Sequence, residues 1–140
     1  MLWIFYALLA AAFAALVAIF GKLGLKTIDP TLATAVRSVI MAGFMVAVAF
    51  ALQKFNGFTL QSFSGKEWLL IALAGGAGAL SWLFYFIALR EGPAGGVAAL
   101  DRLSVVFVVV LAALFLGEVL TWKTVLGALL ITAGALLFVL

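Results

Sequence analysis

Three charged side chains stand in stretches of the sequence that are otherwise apolar: Arg37, Asp101 and Arg102. One carboxylate and two guanidinium groups can recognise a charged ligand or hold a proton, but they lack the partners that bond making requires. Histidine and cysteine are absent, which removes imidazole chemistry, thiolate nucleophiles and most metal ligands. No nucleophile–base set accompanies Asp101. The sequence therefore predicts neither an enzyme nor a metal or cofactor site.

The composition places these charges in a membrane. Of 140 residues, 69% are hydrophobic and 9% are charged, against about 25% charged residues in an ordinary soluble domain. The net charge of +3 is small and the basic residues form no run, which argues against a nucleic-acid partner. The predicted surrounding of the chain is the lipid bilayer.

Five stretches are apolar over the roughly 20 residues needed to cross about 30 Å of hydrocarbon. They cover residues 1–21, 30–52, 68–89, 93–116 and 122–140, so residues 1–140 form a single transmembrane domain. The first stretch is too long for a signal peptide and lacks its basic leader. Asp29 is a suitable N-cap before Pro30, and Ser64 and Glu67 have capping-box spacing. We expect an all-α integral membrane protein, a bundle of five transmembrane helices.

The three charges are predicted to share one depth. Arg37 follows Pro30 by seven residues and Asp101 follows Pro93 by eight, which corresponds to about 10 to 13 Å of helix from the same face. Such a charge costs about 2.5 to 3.5 kcal/mol to insert, so the bundle interior or a water-filled cavity is favoured. Each arginine has an alternative, since a long side chain can lift its guanidinium to the headgroups. Asp101 is too short for that, and we expect it to pair with Arg37 or to line a cavity.

Further polar and aromatic side chains fall near this depth. Ser81, Trp82 and Tyr85 share one face of helix three by their spacing, and Ser104 lies on the Asp101 face of helix four. The alternative for the two aromatic residues is packing or an interfacial aromatic belt. The candidate residues for substrate binding or coupling are Asp101, Arg37, Arg102, Ser104, Trp82, Ser81 and Tyr85.

An odd number of spans places the two termini on opposite faces of the membrane. Three basic residues lie in the loops of each face: Lys54, Lys66 and Lys123 on the N-terminal side, and Lys22, Lys26 and Arg90 on the other. This balance gives no bias under the positive-inside rule. The chain therefore inserts either in one orientation, with the second face cytoplasmic, or in both orientations, and both interpretations stay open.

Three motifs resemble a known family. Residues 88–94, 113–121 and 127–134 read ALREGPA, ALFLGEVLT and GALLITAG, and they are similar to the EamA repeat of the drug/metabolite transporter superfamily. Usual members carry two such repeats in inverted orientation, and this chain resembles one. Ser104 stands where family members often have a proline. The resemblance implies an antiparallel, inverted-topology homodimer that rebuilds the ten-helix architecture from two copies.

The resemblance also implies a function. It predicts a secondary transporter of a small metabolite or drug-like solute, working by alternating access as a dimer in the inner membrane of a prokaryote. Asp101 would be the coupling or charge-recognising group, and Arg37 its partner or an anion anchor. Two alternatives stay open: a non-transporting accessory or assembly subunit whose charges fix helix packing, and one half of a heterodimer with a paralogous five-helix subunit. The excess of guanidinium over carboxylate groups mildly favours anionic or zwitterionic ligands.

Overall fold

The computed structural model describes residues 2–140, which contain helices and no strand. The α-helices are α1 (Leu2–Gly24), α2 (Pro30–Ala51), α3 (Gly65–Glu91), α4 (Ala94–Asp101), α5 (Ser104–Leu111) and α6 (Trp122–Leu137). A short 3₁₀ helix (Leu60–Ser62) precedes α3, and a π-helical turn (Ala112–Leu116) follows α5. The predicted all-α class is confirmed. Met1, the predicted start of the first span, lies outside the described residues.

The chain divides into two compact units. The terminal unit comprises residues 1–23 and 91–140, and the central unit comprises residues 24–90. In the terminal unit α6 packs against both α4 and α5.

Four helical segments are long and apolar enough to cross a membrane: α1, α2, α3 and the segment Ala94–Leu116. The fifth predicted span forms the shorter α6 of 16 residues, about 24 Å of helix. Hydrogen-bonded turns continue it, with the Leu140 N–H donating to the Leu136 carbonyl at 3.0 Å. Large apolar side chains such as Phe13 and Phe44 are exposed, as expected where lipid is the solvent. The chain is thus a multi-pass helical membrane protein.

Side chains cap the starts of α2 and α3. The Asp29 carboxylate accepts hydrogen bonds from the backbone N–H groups of Thr31 at 2.9 Å and Leu32 at 3.0 Å, so α2 begins at Pro30. The Ser64 N–H donates to the Glu67 carboxylate at 2.7 Å, and the Glu67 N–H donates to Ser64 Oγ at 3.3 Å. Because this capping box satisfies the first free N–H groups, α3 begins three residues before the predicted start at residue 68.

The fourth span was predicted as one helix over residues 93–116, but the structure interrupts it after α4. The Arg102 N–H donates to the Ala99 carbonyl at 3.1 Å and the Leu103 N–H to the Leu100 carbonyl at 2.9 Å. The Val105 N–H repeats this i to i+3 spacing, bonding the Arg102 carbonyl at 3.0 Å. Such bonds tighten the backbone to 3₁₀ winding. A break therefore exists at this level without the proline that family members often carry.

The same span ends at a glycine whose conformation explains its residue type. Gly117 follows the π-helical turn with φ of 68° and ψ of 22°, in the left-handed region that side chains disfavour. The Glu118 N–H donates back to the Ala112 carbonyl at 3.3 Å, and a glycine in the left-handed region commonly ends a helix. The glycine of the second EamA-like motif is thus a helix stop.

Candidate functional site

Arg37 is held by an aromatic face within the central unit. Its guanidinium carbon lies 3.8 Å from the centroid of the Trp82 ring and 5.4 Å from that of Phe86. Both distances are within the roughly 6 Å over which a cation is attracted to a ring quadrupole. The contact agrees with the common depth predicted for Arg37 and Trp82. Stacking on one face leaves the N–H groups along the guanidinium edge as donors for an acceptor in the plane.

Two rings of α3, Trp82 and Phe86, form the platform for this cation, and the Tyr85 ring packs against both. Trp82 lies edge-on to Tyr85 at 5.5 Å and to Phe86 at 6.0 Å between centroids. Phe86 is 4% exposed, so it anchors the platform in the protein. Sequence reasoning selected Tyr85 and missed Phe86, although Phe86 is the i+4 neighbour of Trp82 and shares its helix face. Ser81 is exposed and outside this ring cluster.

Two hydroxyl groups of α2 near Arg37 in the sequence are hydrogen-bonded within their own helix. Thr34 Oγ1 donates to the Pro30 carbonyl at 2.7 Å, and Ser38 Oγ donates to the Thr34 carbonyl at 2.8 Å. This back-bonding satisfies a hydroxyl in apolar surroundings. Thr34 is 7% exposed. These hydroxyls therefore serve helix packing, and Arg37 is the candidate ligand-binding residue of α2.

The other candidate residues lie around the helix break of the terminal unit. Asp101 is the last residue of α4 and is half-buried. Arg102 caps that helix and is exposed, and Ser104 is the exposed first residue of α5. The tight turn thus carries three polar side chains within four residues. Because Arg37 belongs to the central unit, its pairing with Asp101 stays a prediction.

A groove of about 550 Å³ runs along the terminal unit beside this turn. Small residues of α4 and α6 form its walls: Gly95, Ala98, Ala99, Gly134 and Ala135. Phe138 lies at one end, where its ring is 3.8 Å from the position of a Cβ on Gly95. Arg102 lies along the same wall and is the charged residue of the lining. The surface of the groove is almost entirely apolar.

A lysine that sequence reasoning treated as a loop charge joins two elements of the terminal unit. Lys22 Nζ, in the last turn of α1, donates to the Gly92 carbonyl at 2.8 Å and is partly buried. Gly92 belongs to the Gly-Pro break that precedes α4. The bond therefore ties the end of the first span to the start of the fourth. Lys22 and Gly92 are 70 positions apart in the sequence, and no sequence pattern predicts a hydrogen bond between them.

Asp29 is an acidic group outside the spans, and its environment fixes its charge. Hydrogen bonds from the backbone N–H groups of Leu32 and Thr31 lower the pKa of its carboxyl below the ordinary value, because they stabilise the ionised form. Asp29 is thus an ionised helix cap at neutral pH. Among residues 2–140, no three histidine, cysteine or acidic side chains come together as a metal site would require.

Comparison with known proteins identifies the family. The profile of the EamA-like transporter family matches residues 1–140. A protein from a Sinorhizobium species, named an uncharacterized transporter in the cobO 3′ region, is 44% identical over 135 residues, which cover 96% of this chain and 94% of that protein. No solved structure matches the chain. The chain therefore belongs to the EamA-like transporter family, and this membership supports a transporter of the drug/metabolite superfamily.

Proposed function

We propose that the protein is a secondary transporter of a small metabolite or drug-like solute, working by alternating access as an antiparallel homodimer. The observation that supports this proposal best is the stacking of Arg37 on Trp82 at 3.8 Å, about 10 Å along α2 from its start. A guanidinium is costly at such a depth. The aromatic platform stabilises the cation while leaving its N–H edge to an incoming solute.

The remaining candidates take roles around this cation. Asp101 is the coupling or charge-recognising group of the proposed cycle, because it is the short acidic side chain of the fourth span and cannot reach the headgroups. Arg37 is its partner or an anion anchor. Ser81, Trp82, Tyr85 and Ser104 are the further residues proposed to bind the substrate, and Arg102 is the second cation.

The repeat count supports the proposed dimer. The family profile covers one five-helix length of chain, and inverted repeats with a site between them are a general plan of secondary transporters. Two copies in opposite orientations supply both repeats. The equal number of basic residues in the loops of the two faces is compatible with insertion both ways, and a prokaryotic inner membrane is the proposed location.

The coupling role is tested by Asp101→Asn in proteoliposomes. Proton-coupled uptake should lose its pH dependence and fall to the passive rate, while Glu118→Gln, which neutralises a loop carboxylate, should transport normally. Unchanged rate and pH dependence in Asp101→Asn would remove the coupling role. Lower stability of this variant, together with no flux of any solute class in the wild type, would instead indicate an accessory subunit.

The topology is tested by cysteine labelling, since the chain contains no cysteine of its own. Asn56→Cys reports on one loop face and Thr27→Cys on the other. In an antiparallel homodimer each single cysteine is labelled from both sides of the membrane. Labelling of each from one side only would exclude dual insertion, and a requirement for a second, related chain in purified active protein would favour the heterodimer.

A further inference from the structure

We propose that the connection between α2 and α3, residues 52–64, lies in the interface of the bilayer and anchors the central unit to phospholipid through a row of aromatic rings. This aromatic row consists of the side chains of Phe50, Phe55, Phe58, Phe63 and Trp68. Its partner is a lipid surface and not a solute, so the anchor is independent of whether the protein transports.

Neighbouring rings of the aromatic row are in contact from one end to the other. Phe50 and Phe55 are 4.7 Å apart between ring centroids, and Phe55 and Phe58 are 6.0 Å apart. The next two separations are 5.8 Å, from Phe58 to Phe63, and 5.4 Å, from Phe63 to Trp68. These are the separations of interacting aromatic pairs. The row therefore begins in the last turn of α2 and ends in the first turn of α3.

Hydrogen bonds give this connection a defined shape. The indole N–H of Trp68 donates to the Leu60 carbonyl at 3.1 Å, and the Thr59 N–H donates to Ser62 Oγ at 3.0 Å. Gly57 turns the chain with a φ of 78°, which a residue without a Cβ adopts readily. The rings are thus presented by a folded segment, and the polar atom of the tryptophan already has its partner.

The folded segment leaves its apolar side chains uncovered. The rings of Phe55, Phe58, Phe63 and Trp68 are 38% to 40% exposed, and Leu60 is 75% exposed. A contiguous exposed apolar patch marks a surface that contacts a partner or a membrane. On the two helices the patch continues at Phe44 and Leu69, which are also exposed, and so it joins the lipid-facing surface of the spans.

The ends of the two spans identify the bilayer interface as the occupant of this patch. α2 ends at Ala51 and α3 begins at Gly65, so the row lies at the level where both helices leave the hydrocarbon. Lipid-exposed backbone outside a helix is not tolerated within the hydrocarbon, which stops the segment from sinking deeper. Tryptophan, phenylalanine and leucine side chains are favourable at the boundary between headgroups and acyl chains. The interface satisfies both requirements.

Polar side chains of the same segment suit this level. Lys54 follows α2 and Lys66 lies in the first turn of α3, and both are exposed. Lysine side chains at the ends of spans extend their ammonium groups to the headgroups. Gln53 and Asn56, between the rings in the sequence, are exposed as well, so Asn56 remains within reach of reagents in water.

The anchor sets the depth of the arginine in the same helix. Phe50 is 13 residues beyond Arg37 in α2, which corresponds to about 20 Å of helix. A row of rings fixed at the interface would therefore hold Arg37 at a constant depth in the opposite half of the membrane, where it stacks on Trp82.

The test measures the depth of a nitroxide spin label on single cysteines of the full chain in phosphatidylcholine nanodiscs. Oxygen concentrates in lipid and a nickel chelate stays in water, so the ratio of their collision rates with the label reports its depth. Leu60→Cys should give an oxygen-to-nickel ratio several-fold above that of Thr27→Cys. The control position Thr27 is exposed in the turn between α1 and α2, which carries no aromatic row.

Ring variants test whether the aromatic row holds the segment in place. Replacing both central rings, with Phe58→Ser and Phe63→Ser, should lower the ratio at Leu60→Cys to that of Thr27→Cys. Phe58→Tyr with Phe63→Tyr keeps the rings and should keep the ratio. If the serine variant does not fold, the ratio at Leu60→Cys in the chain with all five rings decides the question.

Three results would overturn the proposal. Nickel access at Leu60→Cys equal to that at Thr27→Cys would place the segment in water. Low collision rates with both reagents would show that protein, such as a second copy of the chain, covers the row. An unchanged ratio in a folded serine variant would show that the rings do not hold the segment at the interface.

Discussion

A double-mutant cycle between Arg37 and Trp82 should give a coupling free energy of about 1 to 2 kcal/mol. The guanidinium carbon lies 3.8 Å from the Trp82 centroid, with Phe86 a second ring at 5.4 Å. Cation–π pairs are worth about 0.5 to 1 kcal/mol at exposed sites and about 2 kcal/mol when desolvated. Arg37 is half-buried in a membrane span, so its contact belongs toward the upper end of that range.

The cycle uses Trp82→Leu, Arg37→Met and the double variant. Trp82→Leu alone removes both the quadrupole and apolar packing, and Arg37→Met removes the charge while keeping a long side chain. The free energy of unfolding is measured for each protein by denaturation in mixed micelles. The interaction of the pair is the amount by which the double variant is more stable than the sum of the single changes predicts. A coupling of this size changes the unfolding equilibrium by a factor of about 5 to 30.

A second cycle provides the control. Phe84 lies on the same helix and its side chain is 65% exposed, so Phe84→Leu removes a ring outside the cluster of Arg37, Trp82, Tyr85 and Phe86. Its effect should add to that of Arg37→Met within about 0.5 kcal/mol. If the free-energy effects of Arg37→Met and Trp82→Leu were also additive, the Trp82 ring would be only a packing neighbour of Arg37. That result would refute stabilisation of the cation by the aromatic platform.

Two further predictions concern local backbone structure. Gly117→Ala should lower the free energy of unfolding by about 1 to 2 kcal/mol, because the φ of 68° at this helix stop is costly for a residue with a Cβ. The control Gly127→Ala, where the backbone is helical and space is open, should not lower it. A Gly117→Ala variant whose thermal melting is unchanged would contradict the role of Gly117 as the helix cap. Asp29→Ala should lower the Tm at neutral pH by removing the α2 cap. Hydrogen bonds lower the pKa of Asp29 in the folded chain. The contribution of its carboxylate to stability is therefore present above the ordinary pKa and is lost as the pH falls through the lowered pKa. Asp29→Asn should make the Tm depend less on pH in the acid range, and an unchanged dependence would show that the ionisation of Asp29 is not linked to folding.

Local patterns predicted the helix starts well, because caps depend on neighbouring residues. Asp29 before Pro30 and the Ser64–Glu67 pair set the starts of α2 and α3 through bonds within three positions. Hydropathy likewise predicted the apolar segments, since the bilayer imposes their length. The family resemblance was carried by short motifs, and the match of the whole chain confirms it.

The break in the fourth span could not be predicted in the same way. No proline or glycine stands at Arg102 and Leu103 to mark the break. The break consists of a shift of the backbone hydrogen bonds from i+4 to i+3 spacing, which many sequences tolerate. The contacts of the Arg37 side chain could not be predicted from the sequence either. Helix offsets give a common depth, but they do not say whether a guanidinium meets a carboxylate or a ring, and Phe86 reads as an ordinary apolar residue in an apolar span.

The uneven winding of the fourth span has a consequence for how α5 can move. The 3₁₀ bonds after Asp101 advance about 120° per residue where an α-helix advances about 100°, whereas the π-helical turn Ala112–Leu116 is wound more loosely. The side chains of the valine-rich α5, which lies between these two turns, are therefore rotated about the helix axis relative to their positions in an uninterrupted α-helix. The backbone is wound more tightly before α5 and more loosely after it. Exchange of turns between the two ends would rotate α5 about its own axis while Gly117 and the start of α4 keep their positions. A span of this kind can present a different face without any loop being displaced.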